Sequence, residues 1–590
     1  MSLDIARSIA FSGLSSTSVQ ISVTSSNISN ADTTGYTKKT ANQSSSVTNG
    51  VGTGVTVTGI TSTVDKLLLK SLISATSDLG SADTTNTYLT SLEKLYGSTS
   101  STDSSSTGTS LANSIASLES ALSSLASTPS SASLQSNIVS ALDDVASQLR
   151  ETSSSIQTLR SDADQDIASS IDDINTDLQQ IADLNAQIKQ TAAAGQSTAD
   201  MEDQRNTALQ DLASKMNINY FTASNGDTQI YTKSGQALVD SSAHTISYTA
   251  AANVTAATSY IPGSSSNGFS AITVNGVDIT SQITGGDIGA LITLRDTTLT
   301  NAQSQLDQLA QQLASAMNRV SNSASAVPAP TSLTGTTSVT SSTALSATGT
   351  VRLAATDQSG NLVSFGDLDL SSYSTVGDLV TAINGISGMS ASVDADGHLS
   401  ITATGSRNGV AINQMTSSVG SSGEGFSEYF GLNDLVTGTS AADIAVNSKI
   451  LSGTNELQLA TLDSSSSLTV GSTVLSSRSA TVVNAFYDAL TDSRTFAATG
   501  GIAATFGSLA DYASAIVADV ASKASQASDT YTAKETAQST YASSLSSQSG
   551  VNLDEESATL STLQNKYSAA SALIQAINTM YSALLSAVQS

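Results

Sequence analysis

Residues 553–590, LDEESATLSTLQNKYSAASALIQAINTMYSALLSAVQS, decide the reading of this chain. After Leu553, the residues Leu560, Leu563, Tyr567, Ala570, Ile574, Ile577, Tyr581, Leu584 and Val588 follow at alternating spacings of three and four. In an α-helix that spacing gathers them on one face with the 3.5-residue period of a coiled-coil seam. Only Glu556 interrupts the stripe. Asn552 with Glu555 forms a capping-box-like start, and Asp554, Glu555 and Glu556 suit the positive end of a helix dipole. The stretch therefore predicts a closing helix whose face needs a partner.

The other end of the chain carries a matching pattern. Leu14, Ile21 and Ile28 stand seven residues apart, with Ala10, Thr17 and Thr24 between them. Asp4 and Arg7 are the only charges in residues 1–30, and Asp554, Glu555, Glu556 and Lys566 the only ones in 551–590. Surfaces so nearly neutral can crowd against many copies of themselves without like-charge repulsion. Burying the stripe alone falls short of the backbone entropy lost in ordering the closing helix. Both tails are therefore expected to be largely disordered in the free chain and to become helices when subunits stack. The plainer reading is a coiled coil within one molecule.

With 590 residues the chain has room for several domains. Charged residues make up 12%, against about 25% in typical domains. Hydroxyls thus carry much of the solubility. The 49 acids and 22 bases leave a net charge of -27, which repels phosphate backbones and anionic lipid, so no nucleic acid partner is expected. The absence of cysteine removes disulfides, thiolate metal sites and cysteine nucleophiles. No stretch is expected to span a bilayer, and the polar residues Ser2, Asp4, Arg7 and Ser8 argue against a secretory signal peptide.

Between the tails the period of the sequence changes several times. A Ser, Thr and Gly-rich stretch covers 44–59, and helical periodicity then runs to about Met216 through Leu111, Ile115, Leu118, Leu122, Leu125 and again through Ile167, Ile171, Ile174, Leu178. Thr128 and Pro129 mark a connection between helices, and Gly195 a helix end. Period two follows over 218–283, with hairpin signals at Asn225-Gly226 and Asn275-Gly276. Gly285, Gly286 and Gly289 introduce a helix that Val327, Pro328, Ala329 and Pro330 end. A second β-rich region then runs from 331 to 477, and helix returns at Val482, Phe486 and Leu490.

The expected fold class is a multidomain mixture of α and β: a terminal α-helical coiled coil, an elongated antiparallel helical rod and inserted β-rich domains. The expected boundaries are 1–45 with 545–590 for the terminal coiled coil, and 60–217, 287–325 and 478–544 for the rod. A first β-rich domain takes 218–286 and 326–345, and a second insert takes 346–477.

The run Ser25, Ser26, Asn27, Ile28, Ser29, Asn30, Ala31, Asp32, Thr33, Thr34, Gly35, Tyr36, Thr37 resembles the signature of bacterial flagellar rod, hook and hook-associated proteins. Lys38 and Lys39 stand where that family carries a basic residue. Ser549 to Glu556 is similar to the C-terminal block of the same family, and Gly285 to Leu291 resembles a stretch found among its hook-associated members. Val376 to Gly409 looks like a repeat shared with flagellins and cap proteins. The resemblance covers the ends and the helical segments, about 1–325 and 478–590.

It implies an extracellular structural protein of the bacterial flagellum, not an enzyme, that joins hook to filament and is exported without a cleaved signal peptide. Implied partners are further copies of itself in a ring or helical lattice, the hook protein, a second junction protein and an export chaperone on the C-terminal helix. No membrane insertion is implied. The assembly helices would act through Leu14, Ile21, Ile28, Leu560, Leu563, Tyr567, Ile574, Ile577, Tyr581, Leu584 and Val588. The axial motif would act through Ser25, Asn27, Ile28, Asn30, Gly35 and Tyr36. A flagellin or a second junction protein is the alternative within the family, and a Ser/Thr-rich secreted adhesin the alternative outside it. The long helical run before the first β region argues against the former, and the lack of repeats against the latter.

Nothing in the residues points to catalysis, a metal or a cofactor. His244 and His398 are the only histidines, and both read as exposed loop residues. Asp394, Asp396 and Gly397 begin like a calcium loop, but its sixth and twelfth positions would be Leu399 and Gly405. Gly50, Gly52 and Gly54 precede no helix, and Gly285 to Gly289 lacks the Lys and Ser or Thr of a phosphate loop.

Overall fold

The computed structural model describes residues 3–48, 50–97, 110–263, 268–476 and 478–589. The outermost expected boundaries, at 1, 477 and 590, lie outside the described residues. Thirteen helices run along the described chain. They are α1 (Leu3–Ser29), α2 (Lys66–Leu95), α3 (Leu111–Ser127), α4 (Ala132–Ala193), α5 (Ala199–Lys215), α6 (Gly286–Thr293), α7 (Leu299–Ser323) and α8 (Val376–Asn384). The short α9 (Phe426–Phe430) and α10 (Ser448–Leu451) follow, then α11 (Ala480–Thr491), α12 (Leu509–Ser549) and α13 (Leu553–Gln589).

The chain forms two compact units, one of residues 1–88, 161–296 and 525–590, the other of 89–160 and 297–524. The helical rod expected as one domain is therefore divided. The physical reason is length: α4 has 62 residues, about 93 Å at 1.5 Å per residue, more than a single core can cover.

In the first unit, α1 packs against α13 and against a hairpin of β1 (Lys39–Thr48) and β2 (Val51–Ser62). Beyond the strand-like Val55 and Val57 the sequence does not announce this hairpin, because its alternation is of Ser, Thr and Gly and not of large apolar residues. It is held to α1 by polar contacts, with Val55 N donating to Ser12 Oγ at 3.1 Å and Gln43 Nε2 to Ser16 Oγ at 2.6 Å.

The first β region holds two three-stranded sheets, one of 219–222, 228–231 and 237–239, the other of 246–247, 273–274 and 277–278. Asn275 and Gly276, both at positive φ, make the tight turn their sequence signals. This region is tied to α4 by buried polar groups. Asn185 exchanges two hydrogen bonds with the Thr228 backbone, and Asn175 two with Ile246. Arg295, fully buried, donates to Asp164 at 2.8 Å and lies 4.1 Å over the Phe269 ring.

The glycines of 285–291 serve close packing. A side chain at Gly286, which has φ +69, would meet the Lys215 backbone at 2.4 Å, and one at Gly289 the Thr284 backbone at 2.7 Å.

The second unit buries its stripes fully. Ile115, Leu118 and Leu125 of α3 have no exposure, and α3 and α7 both pack against α11. Its β region has a three-stranded sheet with 350–356 at the centre and a second with 398–403 at the centre, flanked by α8. Thr375 and Asp378 cap α8 reciprocally.

The assignment of 326–345 to the first β domain is corrected here. Strand 332–338 hydrogen-bonds to 398–403, and Leu333, Val339 and Leu345 join the same core as Leu379, Ile401 and Phe426. A short hairpin of 494–496 and 505–507 also interrupts the expected helix between α11 and α12. Its strands of three residues carry no readable alternation.

Candidate functional site

The candidate site is the terminal helix pair and its attachment to the first unit. Asp4 meets Tyr581 at one end, and Asn27 meets Glu556 at the other, so α1 and α13 run antiparallel. Their contact buries one narrow stripe. On α13 it comprises Glu556, Leu563 and Ile577, with Ala570 half-buried, at intervals of seven. Of the sequence-derived seam, Leu560, Ile574 and Tyr581 are half-buried, and Tyr567, Leu584 and Val588 are exposed at 40%, 59% and 78%.

On α1 the order of burial is the reverse of expectation. Leu14, Ile21 and Ile28 are half-buried, while the small residues Ala10, Thr17 and Thr24 are buried. Small side chains permit the close approach of the two helices, and the larger ones sit at its margin.

The two ends are thus helical and paired in a single chain, where the sequence had suggested disorder before assembly. What the pairing leaves open is large. Leu573, Met580 and Leu585 on α13 and Phe11 on α1 are each at least half exposed. The α13 face bearing Ser568, Gln575 and Ser582 is also exposed, and no charge follows Lys566.

The axial motif forms the attachment. Asn27, buried between α1, β1 and α13, uses its whole amide: Nδ2 donates to the Lys39 carbonyl at 2.9 Å and to Glu556 Oε2 at 3.0 Å, and Oδ1 accepts from Lys39 N and from the Tyr36 hydroxyl, each at 3.0 Å. Lys38 reaches Glu556 at 3.0 Å and Glu555 at 3.1 Å, and its N–H donates to the Ser549 carbonyl at 2.8 Å.

On the other side Asp203 of α5 accepts from Thr37 N at 2.9 Å, from Thr37 Oγ1 at 2.7 Å and from the buried ammonium of Lys39. Lys39 also lies 4.4 Å from the Tyr36 ring. A polar chain therefore runs from the rod helix α5 through the motif to α13. Burial pushes the Tyr36 hydroxyl above its ordinary value. Burial pulls the Lys38 ammonium down, but hydrogen bonds with Glu556 and Glu555 outweigh it and the net shift is upward.

Gly35 has φ +77, and a side chain there would meet Thr207 Oγ1 at 2.5 Å. The structure brings Asn27, Gly35 and Tyr36 of the predicted motif to this latch, with Ile28 half-buried beside it. Ser25 and Asn30 stay outside: Ser25 is exposed, and Asn30 donates to the Ser26 carbonyl at 2.9 Å as the helix ends. Two residues that complete the latch had no such reading. In the sequence Glu556 reads as a break in the stripe and as an acid suited to the helix dipole, not as a partner of Asn27, and Asp203 has no local signal, lying 166 residues from Thr37.

His244 and His398 are half-buried, not exposed: His244 Nε2 lies 3.1 Å from the Asp240 carboxylate, which it helps hold at about 2. Among the described residues no group of three or more His, Asp or Glu stands where it could hold a metal ion.

One window of 18 residues within Leu509–Val588 reaches the mean hydropathy of a membrane span, by length and composition only, where none was expected.

Four family descriptions match the chain. Residues 8–37 match the flagella basal body rod protein family, and 542–587 the C-terminal family of the basal body rod FlgEFG proteins. Residues 350–405 match the flagellin hook IN motif. The two rod-protein matches fall on the terminal segments that carry the paired helices α1 and α13. Residues 97–327 match the helical domain of flagellar hook-associated protein FlgK. Among solved structures it is similar to the flagellar hook junction protein FlgK from Burkholderia pseudomallei, at 18% identity over 80% of this chain and 98% of that one, with a TM-score of 0.44. No curated protein matches.

Proposed function

We propose that the chain is a structural junction of the bacterial flagellum, placed between hook and filament and assembled through its terminal helices. The observation that carries the reading is the pairing of α1 with α13 through the axial motif, with an apolar flank left open toward other molecules. The terminal helices would pack against further copies in a ring or helical lattice, against the hook protein on one side and a second junction protein on the other.

Before assembly the same open flank, Leu560 to Val588, suits an export chaperone, which would cover it in the cell. Export without a cleaved signal peptide belongs to the same reading. The uncharged Ser, Gln and Ala faces of α13 suit packing against protein more than insertion into lipid. The protein would work mechanically, without catalysis.

The test is deletion of the gene in its own organism. Complete hooks with filament protein shed into the medium are expected, and normal filaments on the deletion strain would overturn the reading.

A further inference from the structure

Resting on that reading, the structure also indicates what one part of the open flank meets. Beside the latch, a groove of about 360 Å³ opens between the motif loop, the start of α2, α5 and the end of α12. Its floor is Leu69 and Leu72, both buried, and its sides include Val64, Leu545 and Val551, all half-buried. Asp32 is its only charged lining residue. In a chain with a net charge of -27, this is a recess at the base of α13 with one acid, an apolar floor and a hydroxyl- and amide-bearing rim.

The most exposed apolar residues of α13 lie at its opposite end: Met580 at 55%, Leu584 and Leu585 at 59% and Val588 at 78%. That tip carries no charge either, since none follows Lys566. The 37 residues of α13, Leu553–Gln589, amount to about 55 Å of helix, so a chain cannot seat its tip in its own groove.

We propose that the groove receives the α13 tip of a second copy. A contact of base with tip is heterologous: each molecule offers one knob and one socket, and such contacts generate rings or open helical stacks, not closed pairs. The motif would then act twice, its inner side fixing α13 through Glu556 and its outer side forming a wall of the socket for the neighbouring copy.

The chain has no cysteine, so single thiols report contacts cleanly. Two variants, Ala542→Cys in the groove and Val588→Cys at the tip, are mixed and assembled, then treated with a short thiol-specific cross-linker. A heterodimer formed only in the mixture and only after assembly is the expected result. Assembled material without it, or with links between Val588→Cys chains alone, would overturn the proposal.

A second variant, Ala542→Trp, fills the half-buried edge of the groove. It should reduce assembly at least tenfold while the thermal unfolding of the free chain is unchanged; assembly at the wild-type level would also overturn the proposal. Filament counts on the complemented deletion strain read the junction role separately, so the two failures are distinguishable.

Discussion

Helices α3 and α13 carry stripes of similar spacing and meet opposite fates. In α3, 17 residues long, Ile115, Leu118, Leu122 and Leu125 are at most 1% exposed. In α13, 37 residues long, only Leu563 and Ile577 among the apolar residues are buried. The first stripe is satisfied by the chain's own core. The second is satisfied on one edge by α1 and left open on the rest. A helix so poorly covered gains little from its own molecule, and the uncovered area is available to neighbours. The attachment of α13 is also of another kind, since a buried polar chain fixes its base where apolar contacts hold α3.

The comparison breaks most sharply at the latch. Asp203→Ala would leave the buried Lys39 only the exposed Asp200 as an ion-pair partner, 3.6 Å away, and is expected to cost about 3–5 kcal/mol, the range for removing one partner of a buried ion pair. Denaturant unfolding measures it, and a cost under about 1 kcal/mol would show that the motif is not held through α5. In α3, Leu118→Ala should cost about 2–5 kcal/mol in the same experiment, through the cavity left in a closed core.

Glu556→Gln keeps the shape of the buried side chain and removes its charge, for an expected loss of about 1.5–3 kcal/mol in the docking of α13. Limited proteolysis between Ser549 and Leu560 reads it, with faster cutting expected. The latch should also weaken in alkali. Tyr36 and Lys38 are both shifted above their ordinary values of 10.0 and 10.5, so their contribution is complete below about pH 10 and is lost as the pH climbs through the raised values. Proteolysis of the same segment across pH 8 to 12 should show no change until that window. The smallest effect on the free chain is expected for Leu584→Ser, within about 0.5 kcal/mol, because the side chain is 59% exposed. Sedimentation should show that this variant has lost assembly.

Much of this arrangement is readable from the residues. The closing helix, the stripe of α3, the turns at Asn225-Gly226 and Asn275-Gly276 and the capped helix α8 all declare themselves through period and turn chemistry. The parts that do not are those whose physics is non-local or carried by small residues. The seam of α1 is lined by Ala10, Thr17 and Thr24, which no hydrophobic stripe announces, while the larger Leu14, Ile21 and Ile28 attract the eye. Hairpin β1–β2 alternates hydroxyls. The latch joins Asn27 to a carboxylate 529 residues away, and a lone acid in an apolar stripe reads as a flaw until its partners are in view.

The central claim is that α13 is a half-finished interface, completed by other copies. Amide hydrogen exchange over residues 553–589, compared between the free chain and the assembled junction, tests it directly. Weak protection in the free chain, strongest near Glu556 and falling toward Val588, with strong protection throughout after assembly, is the predicted result. Equal and strong protection in both states would contradict the account.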